Sequence, residues 1–250
     1  MGQQEIVAVF GGAGGLGSAI TRMYSAHGLT VIVADLDRQN GEALARKHER
    51  ILYEQVDTTR PESVAAFYGK VRERFGYLTH LVSLAGLAAV EEFEGLANLD
   101  ADTVERSIRL NLTSHLFVVR EGIGLLEACP DGNRTVTLVS SVNALKSFGL
   151  PAYSAAKAGL IGFMHAVAGE LGRKNIRINC VSPGTVPTPA TMKEPKDFEG
   201  YKKLALLNRL TTAEEVAKGV FAVTHLLTAM VGQNLVLDCG QTLSTSPIGE

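Results

Sequence analysis

The sequence contains no tryptophan, and aromatic residues make up only 6% of it. Its three cysteines, Cys129, Cys180 and Cys239, are too few and too scattered for a disulfide framework or a zinc site. Its six histidines show no metal-ligand spacing, so no metal centre is expected. So little cysteine fits a reducing compartment, and a cytoplasmic location is expected. No apolar run approaches the ~18 residues of a membrane helix. The opening MGQQEIVAVF lacks the charged-then-apolar pattern of a secretory leader. Lysine plus arginine number 24 against 26 acidic residues, a net charge of −2 with no basic stripe or tail. Nothing there would neutralise a phosphate backbone, so no nucleic-acid partner is expected.

What the 250 residues do contain is a regular alternation. Short β-branched runs stand at 6–10, 30–34, 78–85, 135–140, 176–182 and 234–238, with a weaker one at 51–56. Amphipathic stretches lie between them, near 16–27, 39–48, 61–74, 101–128, 152–172 and 213–229. Strand–helix alternation predicts one α/β domain over 1–250, a doubly wound parallel sheet with helices on both faces. One section, 183–200, holds four of the eight prolines and interrupts the pattern. It follows the sixth strand, at the carboxyl edge where open α/β sheets bind ligands. Residues 185–210 are therefore expected to form a substrate lid.

Five glycines crowd into Gly11-Gly12-Ala13-Gly14-Gly15-Leu16-Gly17, between the first strand and the first helix. Such a loop lets backbone amides and a helix N-terminus approach a dinucleotide pyrophosphate. Two registers are available: Gly12, Gly14 and Gly17, or Gly11, Gly15 and Gly17. Asp35 ends the second strand 18 residues beyond Gly17, where an acid meets the adenosine ribose. A carboxylate there repels a 2′-phosphate, so NAD is expected rather than NADP. Asp57 follows the third strand; it either contacts adenine or opens a turn before Pro61.

The segment SSVNALKSFGLPAYSAAKAGL, 140–160, carries candidate chemistry. Tyr153 and Lys157 stand four apart on one helix face. A neighbouring ammonium favours a phenolate and brings its proton exchange toward neutral pH. A hydroxyl from Ser141, or alternatively Ser140, would hold a substrate oxygen.

With these pieces in order, the chain resembles the short-chain dehydrogenase/reductase family over roughly 5–240. The family's T-G-x-x-x-G-x-G falls on Phe10-Gly11 through Gly17, which selects the second register. Its Y-x-x-x-K falls on Tyr153 and Lys157, its helix asparagine on Asn111, and its P-G segment on Pro183-Gly184. The resemblance implies a single Rossmann-type domain with seven strands in the order 3-2-1-4-5-6-7. It implies NAD-dependent hydride transfer between a secondary alcohol and a ketone. The catalytic set would be Asn111, Ser141, Tyr153 and Lys157. The cofactor would meet Gly11, Gly15, Leu16, Gly17, Asp35, Asp57, Ala85, Gly86, Tyr153, Lys157, Pro183, Gly184, Val186 and Thr188. It also implies self-association, as a homotetramer or homodimer, through the helices near 101–128 and 152–172. The only other partner expected is a small alcohol or ketone, with no membrane.

The chain departs from the family pattern at three places. Phe10 stands for the usual threonine, Ser83-Leu84 for two asparagines, and Cys239 for the second residue of D-G-G. The other readings are an NADP-dependent ketone reductase of the same family, a dinucleotide-sensing protein without turnover, and an epimerase or dehydratase. The pocket is expected from 87–95, 142–152 and 185–210. Lys193, Lys196, Lys202 and Lys203 are either an attraction for an anion or simply solvated.

Overall fold

A computed structural model describes residues 4–130, 132–146, 148–193 and 197–244. Seven parallel strands form one sheet in the order β3-β2-β1-β4-β5-β6-β7. They are β1 Ile6–Phe10, β2 Thr30–Asp35, β3 Ile51–Gln55, β4 His80–Ser83, β5 Arg134–Val139, β6 Ile176–Pro183 and β7 Asn234–Leu237. The helices are α1 Gly15–Ala26, α2 Arg38–Lys47, α3 Pro61–Phe75, α4 Ala101–Ile108, α5 Ser114–Glu127, α6 Pro151–Arg173, α7 Phe198–Leu204 and α8 Ala213–Phe221. The expected class and strand order are both observed. Among the described residues no helix is long and apolar enough to cross a membrane.

The pleat of β1 explains how the core divides. Its five residues are all buried, but successive side chains point to opposite faces. Ile6, Ala8 and Phe10 join one core with Val64 and Phe67 of α3, Val118 and Leu126 of α5 and Met164 of α6. Val7 and Val9 join the other with Ile20 and Tyr24 of α1 and Val216 and Val220 of α8. Phe10 is therefore a core residue. It packs edge-on to Phe67 at 4.9 Å and tilted to Tyr68 at 5.7 Å.

Local signals set the helix ends. Pro61 opens α3, and Gly76 closes it at φ 80. Asp100 caps α4 by accepting from Thr103 N, and Thr212 with Glu215 forms a capping box on α8. Two stretches expected as single helices change pitch. A π-helical turn at Arg109–Thr113 joins α4 to α5, and another at Ala222–Leu226 follows α8. Such turns redirect side chains that a regular helix would place elsewhere. The described residues of 183–197 are largely irregular, as the prolines there predict, with a short 3-10 turn at Thr191–Lys193.

Candidate functional site

The parallel register brings Phe10, Ser83 and Leu138 side by side. The chain leaving these strands lines a cavity of about 590 Å³ at the carboxyl edge of the sheet. Gly11 turns the chain at φ 84, and a Cβ there would lie 2.7 Å from Ala85 N. A Cβ on Gly15 would strike Thr188 at 2.7 Å, and one on Gly17 would strike Gly11 O. Gly14 faces open space, with nothing closer than 3.9 Å. The glycines at 11, 15 and 17 are thus demanded by close approach, which fits the second register; Gly12 is also crowded, 2.9 Å from Val9 O.

Phe10 cannot brace this turn, but two other groups do. Asp35 Oδ2 accepts from Ala13 N at 2.9 Å, and Thr21 Oγ1 donates to Gly12 O at 3.1 Å. The helix α1 begins with no side-chain cap and no acid in its first turn. Its free N–H groups and the open space at Gly14 suit an anionic phosphate. A dinucleotide therefore fits these residues, with Asp35 and Asp37 at one end of the cavity and Tyr153 and Lys157 at the other.

The helix α6 supplies the chemical end. Gly149 at φ 77 and Leu150 at φ 58 turn the chain into Pro151. Lys157 is buried; its Nζ donates to Val139 O at 3.1 Å and stands 5.6 Å from the Tyr153 ring centroid. Burial lowers its ammonium pKa to about 8. Asn111 lies in the π turn. Its Nδ2 donates to Leu87 O at 2.9 Å and to Ser107 O at 3.0 Å. Both partners are carbonyls, which fixes the amide orientation and leaves Oδ1 buried with no hydrogen-bond partner. A Cβ on Gly86 would lie 2.5 Å from Asn111 Oδ1 and 3.1 Å from Lys157 Nζ. Both polar atoms thus converge over a residue that must be glycine.

The two serines differ in their commitments. Ser140 Oγ donates to Lys157 O at 2.8 Å and so fastens α6 to β5. Ser141 Oγ meets Asn143 N and Asn143 Oδ1, both at 3.2 Å, long bonds on the wall of the cavity. The other departures are also absorbed. Ser83 Oγ pairs with His115 Nδ1 at 2.7 Å. His115 is buried, and desolvation together with the Lys157 charge holds it neutral. Leu84 packs among apolar neighbours of the α1 and α8 core. Cys239 adopts φ 53 and sits 3.6 Å from Thr211 Oγ1.

Glu92 is a member that the sequence pattern did not reveal. Its carboxylate is buried between the α6 N-terminus and α4. Oε2 accepts from Tyr153 N at 2.8 Å, and Oε1 accepts from Ser107 Oγ at 2.8 Å. Ser107 is also the residue whose carbonyl holds Asn111. One carboxylate therefore ties the Tyr153 turn to the Asn111 turn. It belongs to a short 3-10 turn, Val90–Glu94, with no motif to mark it.

The remaining residues are placed less uniformly. Leu16, Ala85, Gly86, Pro183, Gly184, Val186 and Thr188 line the cavity, as do Phe148 and Tyr201 at its rim. Asp57 Oδ1 accepts from Thr59 N at 2.9 Å and Thr59 Oγ1 at 2.6 Å, the turn geometry weighed above, while Val56 and Thr58 are what face the cavity. Lys193, Lys202 and Lys203 are exposed, and Lys202 lies 3.7 Å from Glu199. Lys196 lies outside the described residues, as do parts of 142–152 and 185–210.

A glycine loop ending β1, an acid ending β2 and a tyrosine–lysine pair across the cavity define a dinucleotide-dependent α/β oxidoreductase. The chain belongs to the short chain dehydrogenase family, whose sequence model matches residues 5–199. It is 31% identical to trans-4-hydroxycyclohexanecarboxylate dehydrogenase of Sinomonas cyclohexanicum, over 96% of this chain and 93% of that one. A solved short-chain dehydrogenase/reductase family oxidoreductase from Burkholderia thailandensis superposes with a TM-score of 0.86 at 30% identity, covering 97% and 94% of the two chains. A structure described as ribose-5-phosphate isomerase from Brucella melitensis 16M superposes at 0.90 with 29% identity and the same coverage. One fold thus accompanies more than one described reaction, and the reaction must be argued from the site. The family binds a nicotinamide dinucleotide, and relatives of this chain are alcohol dehydrogenases.

Proposed function

We propose that this protein interconverts a secondary alcohol and a ketone using NAD. The observation that carries this reading is the pairing of Tyr153 and Lys157 on the wall of a dinucleotide-sized cavity, with the buried, unpartnered Asn111 Oδ1 behind Gly86 of that wall beside Lys157. A nicotinamide bound there supplies or accepts the hydride. Tyr153 exchanges the hydroxyl proton with the substrate oxygen. Lys157, held as an ammonium below pH 8, favours the phenolate through its charge and offers donors to a ribose. Ser141 orients the substrate oxygen, while Ser140 is engaged in fastening α6. Asn111 Oδ1 accepts from a water that completes the proton path behind Lys157.

Asp35 favours NAD, because its carboxylate lines the cavity where a 2′-phosphate would otherwise sit. The substrate end is apolar: Val142, Phe148, Leu150 and Tyr201 line it, and among the described lining residues Lys157 is the only cation. A mainly apolar secondary alcohol suits it better than an anion. Exposed Ala155, Ala158, Gly162, Ala166 and Gly169 form a small-residue stripe on α6 that suits close packing in a homotetramer. The three cysteines are free, in keeping with the cytoplasm.

Tyr153→Phe should abolish turnover, by about 10²-fold or more, while NADH binding followed by its fluorescence is retained. Turnover near the parent rate would refute the acid–base role. A screen of alcohols and ketones by NADH absorbance separates this enzyme from a dinucleotide sensor.

A further inference from the structure

On the opposite edge of the sheet, three side chains from distant parts of the sequence meet. Glu5 directly precedes β1, His80 opens β4, and His225 sits in the π turn after α8. Their ligand atoms all lie within 4.8 Å of one another. Glu5 Oε1 stands 3.4 Å from His80 Nε2 and 3.6 Å from His225 Nε2. These separations are longer than a charge-assisted hydrogen bond of ~2.7–2.9 Å. They lie closer to the ~3.3–3.4 Å edge of a tetrahedron whose ligands stand ~2.0–2.1 Å from a zinc ion.

The second nitrogen of each imidazole is already fixed. Thr224 Oγ1 lies within hydrogen-bond distance of Phe221 O at 2.9 Å and of His225 Nδ1 at 2.7 Å. A proton on Nδ1 leaves a lone pair on His225 Nε2, and that atom is buried with no hydrogen-bond partner. Thr135 Oγ1 pairs with His80 Nδ1 at 2.8 Å. An outer partner on each histidine is how metal sites set tautomer and ring orientation. Phe221 stacks on His225 at 4.3 Å and 10°. Arg177 anchors the turn that carries it, donating to Val223 O, Thr224 O, Leu227 O and Met230 O. The Arg177 charge reaches His80, but its guanidinium faces those carbonyls.

We propose that Glu5, His80 and His225 bind a divalent transition-metal ion, zinc foremost, through two Nε2 atoms and one carboxylate oxygen. Half-exposed Glu5 leaves a solvent side for a fourth, water ligand. The ion clamps the starts of β1 and β4 to the end of α8. It lies away from the dinucleotide cavity, at the other ends of the strands, and is independent of the oxidoreductase reading.

The test uses the untagged full chain, stripped with a chelator and titrated with Zn²⁺ against a chromophoric competitor. One zinc per chain is expected, with a zinc-dependent rise in Tm. Glu5→Gln and His225→Asn should each lower affinity by more than the ~10–100-fold typical of outer-partner changes. His27→Gln, an exposed histidine against Phe221, should leave it unchanged. Far-UV circular dichroism and NADH binding check that each variant is folded. Co²⁺ should give the intense visible absorption of a tetrahedral site, lost in His225→Asn. No zinc uptake by the parent chain, or equal uptake by folded Glu5→Gln and His225→Asn, would overturn the assignment.

Discussion

Replacing Phe10 by threonine, the residue the family pattern favours, should damage this chain rather than improve it. Phe10 is fully buried, on the β1 face that meets α3 and α5. Emptying a buried phenylalanine site costs ~3–5 kcal/mol through lost transfer energy and the cavity left behind. Contacts with Phe67 and Tyr68 contribute ~0.5–1.5 kcal/mol each to that sum. The threonine hydroxyl gains little, because Asp35 and Thr21 already hold the Gly12 and Ala13 backbone. A net loss of about 4 kcal/mol corresponds to a fall in Tm of about 8–16 °C for a chain of this size. Urea unfolding and calorimetry measure the loss, and NADH titration under native conditions should give an almost unchanged Kd. A loss below about 1 kcal/mol, or a tighter Kd, would refute the view that Phe10 serves the core and that the turn is braced without it.

Other predictions concern the groups around α6 and β7. Glu92→Gln presents an amide donor where Tyr153 N, Ser107 Oγ and Ala89 N now donate; kcat should fall about tenfold while the KM for NADH changes little, a split that steady-state kinetics reads. Lys157 provides a pH test. Its folded pKa, about 8, lies below the unfolded 10.5, so the unfolded chain binds more protons and stability rises between pH 8 and 10.5. Below pH 8 the buried ammonium costs about 3 kcal/mol. Lys157→Met should therefore be more stable than the parent at pH 7, with an advantage that shrinks toward pH 10, as urea unfolding at both values would show. Cys239 holds φ 53, where a side chain costs ~1–2 kcal/mol; Cys239→Gly should raise stability by about 0.5–1 kcal/mol after glycine's own entropy is counted.

The sequence by itself determined the strand–helix alternation, and with it a parallel sheet covered on both faces. Local periodicity dictates that much, because each element must bury its own stripe. It also determined the glycine positions and the tyrosine–lysine pair, since both depend on near neighbours along the chain. What it left open were matters settled only by distant partners. Whether Phe10 weakened the glycine turn depended on Asp35 and Thr21, which reach the loop from β2 and α1. That Ser140, rather than Ser141, fastens α6 depended on which hydroxyl the α6 backbone engages. Glu92 had no signature because its role is to join two turns that the fold alone brings together. Glu5, His80 and His225 showed no spacing for the same reason: ligand spacing along a chain reports a site only when one local element builds it. Here β1, β4 and the turn after α8 each bring one side chain to the same edge of the sheet, and only the packed sheet measures the distances between them.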